Sequence, residues 1–392
     1  MNGLRVHRVL TGLLALLVLA GCGQSAPTTG TTAATSGALV ATAAPAVEAT
    51  SAPAAEATSA APAAETTAEV PAAFTNPPAS VRLGYFPNLT HAIGVVGVAN
   101  GAFQKALGSV KLETKTFNAG PAEIEALFAG ELDLAYVGPN PAINGYVKSK
   151  GAALRIIAGA SSGGASFIVR PEANIKTAKD LDGKKLATPQ LGGTQDVALR
   201  YYLQQNNLQT AEKGGTVQIV PTQNPDILTL FQQGQIDGAW VPEPWATRLV
   251  QEAKGQVFVD ERTLWPDGKF VTTNVVVSKK FLDEHADIVA AFLKAHVETS
   301  EYIVKNADEA KKTVNSEIAR ITGKPLAEKT LDQAFTTLDI TYDPLPKTLV
   351  QAADSAFALG FLGSEKPDLS GLFDLEPLNA VLKAKGLPEI VQ

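Results

Sequence analysis

Cysteine is almost missing from this chain. Its 392 residues hold a single one, Cys22, so no pair exists to form an internal disulfide, and a cysteine-built metal centre has no ligands. Histidine is scarce too: His7, His91, His285 and His296 are the only four. The last two fall in a late helical region, so no metal-ligand spacing arises and no metal or other cofactor is expected. Basic residues are outnumbered 33 to 39, for a formal charge of −6. No basic stretch is laced with aromatics, and nothing invites nucleic acid. No nucleotide P-loop occurs, and Gly192-Gly193 lacks the GxGxxG spacing of dinucleotide sites. Long apolar runs are absent as well: the run Val9 to Ala20 is too short to span a bilayer as a mature helix.

What stands at the N-terminus has the layout of a secretory signal, with Arg5 and Arg8 ahead of that apolar run. LAGC, Leu19 to Cys22, resembles the lipobox of bacterial lipoproteins, which implies cleavage and a lipid anchor on Cys22. Residues 23–80 are Ala, Thr, Pro and Ser with scattered Glu, and no aromatic precedes Phe74. Such a segment buries little and is expected to be a disordered tether, with an r.m.s. reach of about 40 Å. The tail before Val81 carries two basic and four acidic residues, leaving the body near −4.

From Val81 onward there is enough chain for two lobes. Short apolar strands alternate with helical runs: SVRLGYF (80–86), AIGVVGVANGAFQKAL (92–107), KLETKTF (111–117), AEIEALFAG (122–130), DLAYVG (133–138), PAINGYVKSKG (141–151) and LRIIAGAS (154–161). This is a βαβ rhythm, hence a mostly parallel sheet covered by helices. A second cycle runs from about 179 to 260, and from about Ala286 the chain is mainly helical.

The two cycles resemble each other. LFAGELDLAYVGPNPA (127–142) lies over LFQQGQIDGAWVPEPWA (230–246) with one inserted residue, pairing Gly130 with Gly234 and Asp133 with Asp237. The expectation is two similar α/β lobes. Open α/β sheets place ligands at the carboxyl ends of their strands, where helix N-termini offer free N–H groups. LGYFPNLTHA (83–92) is then the first strand-to-helix mouth of lobe one, with its polar residues facing the cleft.

LGYFPNLTHA, FNAGPAEIEALFAGELDLAYVGPNPAI, IKTAKDLDGKKLATPQLGGTQ and FQQGQIDGAWVPEPWA occur in that order. Together they resemble the periplasmic binding proteins of ABC importers, in the branch that takes nitrate, taurine, aliphatic sulfonates and thiamine-precursor pyrimidines. The resemblance spans about residues 81–365. It implies a periplasmic binding protein-like α/β fold: two α/β lobes with mostly parallel sheets, joined by two hinge strands around a central ligand cleft. Lobe one would be 81–170 plus 275–392 and lobe two 171–274, with SFIVRPE (166–172) and TTNVVVSKK (272–280) as the crossings. It also implies an ABC permease with its ATPase as partners, an extracytoplasmic location and a monomeric body.

The family holds an anionic head with backbone N–H groups and short hydroxyl or amide side chains. The matching positions are Asn88, Thr90 and His91, then Gly120 and Pro121, then Gly138, Pro139 and Asn140, then Ser161 and Ser162. Lobe two offers Gly192, Gly193 and Thr194, then Glu243 and Trp245, and Asn274 lies near the return crossing. Read as residues alone, Thr194 can equally cap a helix, Gly138 to Pro141 can be a plain turn, and His91 can donate to an oxyanion without a charge or face solvent. Glu243 either meets a ligand amine or pairs with Arg248.

No Ser–His–Asp or Cys–His set suggests an enzyme. Pyrimidine-forming enzymes of this fold use catalytic histidines and a cysteine-containing cluster, and this body has no cysteine. The expectation is therefore a binding protein for a small organic anion, a sulfonate such as taurine first. A pyrimidine, nitrate or bicarbonate and a non-transport surface lipoprotein are the alternatives.

Overall fold

A computed structural model describes residues 74–392. The signal, the Cys22 anchor and the tether up to residue 73 lie outside the described residues. The ordered body begins earlier than Val81. Phe74, the first aromatic, packs on the core of lobe one, and the Thr75 amide donates to Asp287 Oδ2 at 2.9 Å.

Lobe one is built on a six-stranded sheet: β1 (Ser80–Tyr85), β2 (Lys111–Thr116), β3 (Leu134–Val137), β4 (Leu154–Gly163), β10 (Val271–Ser278) and β11 (Leu338–Ile340), in the order β11-β4-β10-β3-β1-β2. Lobe two has five: β5 (Ala165–Val169), β6 (Lys185–Thr188), β7 (Gln218–Pro221), β8 (Gly238–Pro242) and β9 (Gln256–Asp260), ordered β7-β6-β8-β5-β9. The β1–β3 and β6–β8 halves are parallel, as the βαβ rhythm requires. The other pairings are antiparallel, so both sheets are mixed. The cause is the crossing of the chain: β5 enters lobe two, and β10 re-enters lobe one, against the direction of their neighbours.

Those pairings also move the lobe boundaries. β5 pairs with β8 and β9, so the outward crossing is at Gly163–Gly164, both at positive φ (74° and 72°), rather than at 166–172. The return runs through 261–270, since β10 already belongs to lobe one from Val271. Lobe two is thus a contiguous insert of about 165–260.

Four helices start at the mouths of the parallel strands. α3 (Gly120–Phe128) and α4 (Pro139–Lys148) lie in lobe one, α5 (Thr194–Gln205) and α6 (Asn224–Gln232) in lobe two. The run 92–107, read as one helix, breaks into α1 (Ala92–Ala99) and α2 (Ala102–Leu107) at Asn100-Gly101, where Gly101 takes φ 75°. α7 (Trp245–Ala253) follows β8, and α8 to α13 complete lobe one (Lys279–Glu284, Ala286–Lys305, Ala307–Thr322, Glu328–Phe335, Pro346–Ala358 and Glu376–Ala384).

The internal repeat has a physical counterpart. Asp133 accepts from the Arg82 amide within β1, and Asp237 from the Lys185 amide at the start of β6, each at 2.8 Å. Gly130 and Gly234 end their helices at φ 71° and 70°, a left-handed turn that costs glycine nothing. Each lobe therefore opens its sheet with the same clamp.

Candidate functional site

The carboxyl ends of the parallel strands face each other across the lobes. Between them lies a small cavity of about 30 Å³. Asn88, Thr90, His91, Gly120, Gly138, Gly193 and Thr194 line it, as the sequence pattern suggests. Phe86, Asn118, Gln190, Gln195, Asn224 and Thr273 line it as well. No lysine, arginine, aspartate or glutamate is among the lining residues.

The positive character comes instead from helix ends. α3, α4, α5 and α6 all begin at the cavity, at Gly120, Gly138-Pro139, Thr194 and Asn224. None of the four has a side chain hydrogen-bonded as its N-cap. Their first-turn N–H groups have no intrahelical acceptor, and four dipoles add at one point. Thr194 and Gln195 keep these donors, whereas Pro121, Pro139 and Pro225 at the other starts remove some.

His91 is buried, and burial pulls its pKa down to about 3, so the imidazole is neutral. Its Nδ1 accepts from the Phe86 amide at 3.3 Å. The proton therefore sits on Nε2, a donor that brings no charge. Phe86 stacks on the ring at 4.2 Å and holds its orientation. His296, by contrast, is fully engaged in the lobe-one core with Tyr136 (2.7 Å) and the Gly159 carbonyl (2.9 Å).

The lobes touch around the cavity. The Leu89 amide donates to the Glu243 carbonyl (3.2 Å), Trp245 Nε1 to Asn88 Oδ1 (3.0 Å) and Asn118 Nδ2 to Gln223 Oε1 (2.9 Å). A Cβ on Gly138 would collide with Thr194 Oγ1 of the other lobe. Only glycine lets the lobes approach this closely.

Several expected residues lie elsewhere. Glu243 is buried away from the cavity, where its carboxylate accepts from the Thr247 amide (3.1 Å) and hydroxyl (3.0 Å) and from Thr337 Oγ1 (3.1 Å). Its pairing with Arg248 does not form. Arg248 bonds Glu252 at 2.8 Å and lies over the Trp245 ring at 4.7 Å. Both Glu243 carboxylate oxygens are already taken, by Thr247 in the first turn of α7 and by Thr337 from a distant part of the chain. Trp245 faces an outer groove on the lobe rim. Asn140 turns to the Ala352 carbonyl at 3.3 Å. Pro121 is within α3, and Ser162 Oγ accepts from the Phe270 amide. Ser161 and Asn274 do not line the cavity, but Ser161 Oγ, Thr273 Oγ1 and both Asn274 side-chain polar atoms are buried without partners. Ser161 sits opposite Thr273 in the β4–β10 ladder, so this unsatisfied set backs the cavity wall.

Residues 75–319 match the NMT1-like family. The chain belongs to that family. It is 29% identical over 235 residues to the taurine-binding periplasmic protein of Escherichia coli (strain K12), covering 59% of this chain and 69% of that protein. With the putative aliphatic sulfonates-binding protein of Bacillus subtilis (strain 168) it shares 25% identity over 261 residues, 65% and 74% of the two chains. Among solved structures, the alkanesulfonate-binding protein of Xanthomonas axonopodis pv. citri bound to MOPS superimposes with TM-score 0.63 at 18% identity, over 75% of this chain and 98% of that one. The periplasmic nitrate-binding protein of Synechocystis PCC 6803 gives TM-score 0.64 at 14% identity, over 79% and 90%. The NMT1-like chain has the periplasmic-binding-protein fold. These relatives are named as solute-binding proteins, the Escherichia coli one as periplasmic. Among the described residues no helix is long and apolar enough to cross a membrane.

Proposed function

We propose that the protein captures a small organic sulfonate and delivers it to an ABC permease. The observation that carries this is the convergence of four uncapped helix N-termini and a neutral His91 on one cavity without charged side chains. Such a site suits a singly charged anion, whose charge is met by N–H groups and helix dipoles rather than by a cationic side chain. The names of the relatives point the same way. The ligand-binding residues are Asn88, Thr90, His91, Gly120, Gly138, Gly193 and Thr194, joined by Asn118, Gln190, Gln195 and Asn224. The ligand is not altered: it stabilises the closed lobes and shifts that population.

A thermal-shift series on the purified full chain tests this, because a ligand of the folded state raises the melting temperature. Ethanesulfonate and taurine are expected to shift it comparably, since Glu243 is engaged by two threonines and has no reach to an amine. A large taurine-only shift would overturn that placement of Glu243. A shift only with nitrate, bicarbonate or an aminopyrimidine would sink the sulfonate reading and leave the transport role.

The lipid anchor on Cys22 belongs to the same proposal, supported by LAGC and the run before it. Cys22→Ala is expected to abolish incorporation of radiolabelled palmitate and to release the protein from membranes. Retention of label in that variant would refute the anchor.

A further inference from the structure

Apart from the anion cavity, the lobes enclose a chamber of about 260 Å³. Its walls are α5 of lobe two, the N-terminus of α4 and the α12 helix of lobe one, and the returning crossing 261–270. Thr194 is the only residue that lines both spaces. The exposed side chains of Gln205, Leu264 and Gln351 stand at the chamber's margin and give a solute its own way in.

Two features mark the chamber. The first is aromatic: Tyr201, Tyr202, Trp240, Trp265 and Phe270 line it, among them two of the chain's three tryptophans. Trp265 and Phe270 stack at 5.4 Å, and Tyr202 meets Trp240 edge-on at 5.7 Å, so these rings are held in place. The second is one buried carboxyl group. Glu261 lines the chamber, is 3% exposed and accepts from Trp240 Nε1 at 2.7 Å. No lysine or arginine is among the lining residues. The neighbouring Arg262 turns away, to Asp260 at 2.6 Å and to the Thr336 carbonyl at 3.4 Å. Among the described residues Glu261 therefore has no ion-pair partner.

A carboxylate removed from water needs a partner charge to offset its desolvation. Aromatic ring faces attract a cation as well. Other polar groups of the lining are engaged: Asn140 donates to the Ala352 carbonyl (3.3 Å), Asn206 to the Tyr202 carbonyl (2.8 Å) and Ser355 to the Gln351 carbonyl (3.0 Å). A primary ammonium brings three donors, more than this wall can meet. A fully methylated nitrogen brings the charge without that demand.

We propose that the chamber is a second binding site, for a small organic cation of the quaternary-ammonium class, with Glu261 as its counter-charge and the aromatic rings as its wall. The site is independent of the anion cavity and goes beyond the sulfonate reading. Its volume exceeds the ~150 Å³ that receives a benzene ring. Both lobes line it, so its occupant bridges them and favours their closed arrangement.

The test is calorimetric titration of the full chain with choline and with neutral dimethylbutanol, in which carbon replaces the nitrogen, at pH 8. Burial pushes the Glu261 pKa up to about 7, so the carboxyl is ionised there. Choline is expected to bind at least about tenfold tighter than the neutral isostere. Glu261→Gln keeps an acceptor for Trp240 and removes the charge. It is expected to erase that advantage and to leave ethanesulfonate binding unchanged. If that variant does not fold, Ser355→Phe, on α12 at the chamber wall, is expected to abolish choline binding by filling the space. No binding of choline, equal binding of choline and the isostere, or a choline affinity that survives these substitutions overturns the cation site.

Discussion

Gly138→Val is expected to lower ligand affinity by about 10–100-fold while leaving the ligand-free protein folded. Gly138 has φ −66°, a conformation open to any residue, so its requirement is steric and lies between lobes. An added Cβ meets Thr194 Oγ1 across the cleft. Within lobe one it meets the Thr272 carbonyl at 3.6 Å, an ordinary contact. The substitution thus wedges the closed state and spares the open one. Overlap of this kind costs roughly 1–3 kcal/mol, and apparent affinity falls with the population of the competent state. Titration calorimetry with the best sulfonate reads the loss. Thr194→Ala added to Gly138→Val removes the colliding hydroxyl and is expected to restore part of it. Unchanged affinity in the single variant would show that the ligand does not need this closure.

Glu123→Met is expected to stabilise the ligand-free protein, by about 1–3 kcal/mol at pH 8, with a gain that shrinks toward pH 5. Glu123 lies in α3 with its carboxyl packed against Gly84 of β1, fully buried, and neither oxygen has a hydrogen-bond partner. Burial raises its pKa well above the ordinary value. The folded state then holds a proton that the unfolded state releases from about pH 4.3 upward, so stability falls as pH rises from there toward the folded pKa. Methionine has the length without the proton. His91 and His296 act in the opposite sense. Burial lowers them to about 3 and about 4, so their contribution is present above about pH 6.5 and is lost as pH falls. Urea denaturation from pH 5 to 8 resolves the terms, and a Glu123→Met gain independent of pH would refute the buried protonated carboxyl.

Much of the site was legible through the family motifs, and the internal repeat runs through the same positions. Thr90 and Thr194, Gly120 and Asn224, Gly138 and Pro242 are each 104 positions apart, and all six line the cavity. The offset seen in Gly130/Gly234 and Asp133/Asp237 reaches Asn224, which the family motifs alone did not single out. Gln190 and Asn118 carried no such mark: they reach the cavity through the path of loops, which periodicity does not encode. Glu243 misled for a physical reason. A carboxylate in a polar turn after a strand looks like a ligand group, but two threonines, one of them 94 residues away, satisfy it. Long-range partners of that kind are invisible in local sequence. The parallel halves of the sheets followed from the βαβ rhythm. The antiparallel insertions of β5 and β10 depend on where the chain changes lobes, and glycine pairs such as Gly163-Gly164 are too common to reveal that.

The position of β10 has a consequence for how the molecule is assembled. Within the lobe-one sheet, β3 and β4 do not pair with each other; β10 lies between them. It is synthesised only after the whole of lobe two. Lobe two, lying within one stretch of chain, has all its strands before lobe one has its central one. A chain stopped before Val271 leaves β3 and β4 with open edges, which invite pairing with other molecules. Emergence of this strand is therefore the step that seals the gap between β3 and β4, while the outer edge of β4 waits for β11.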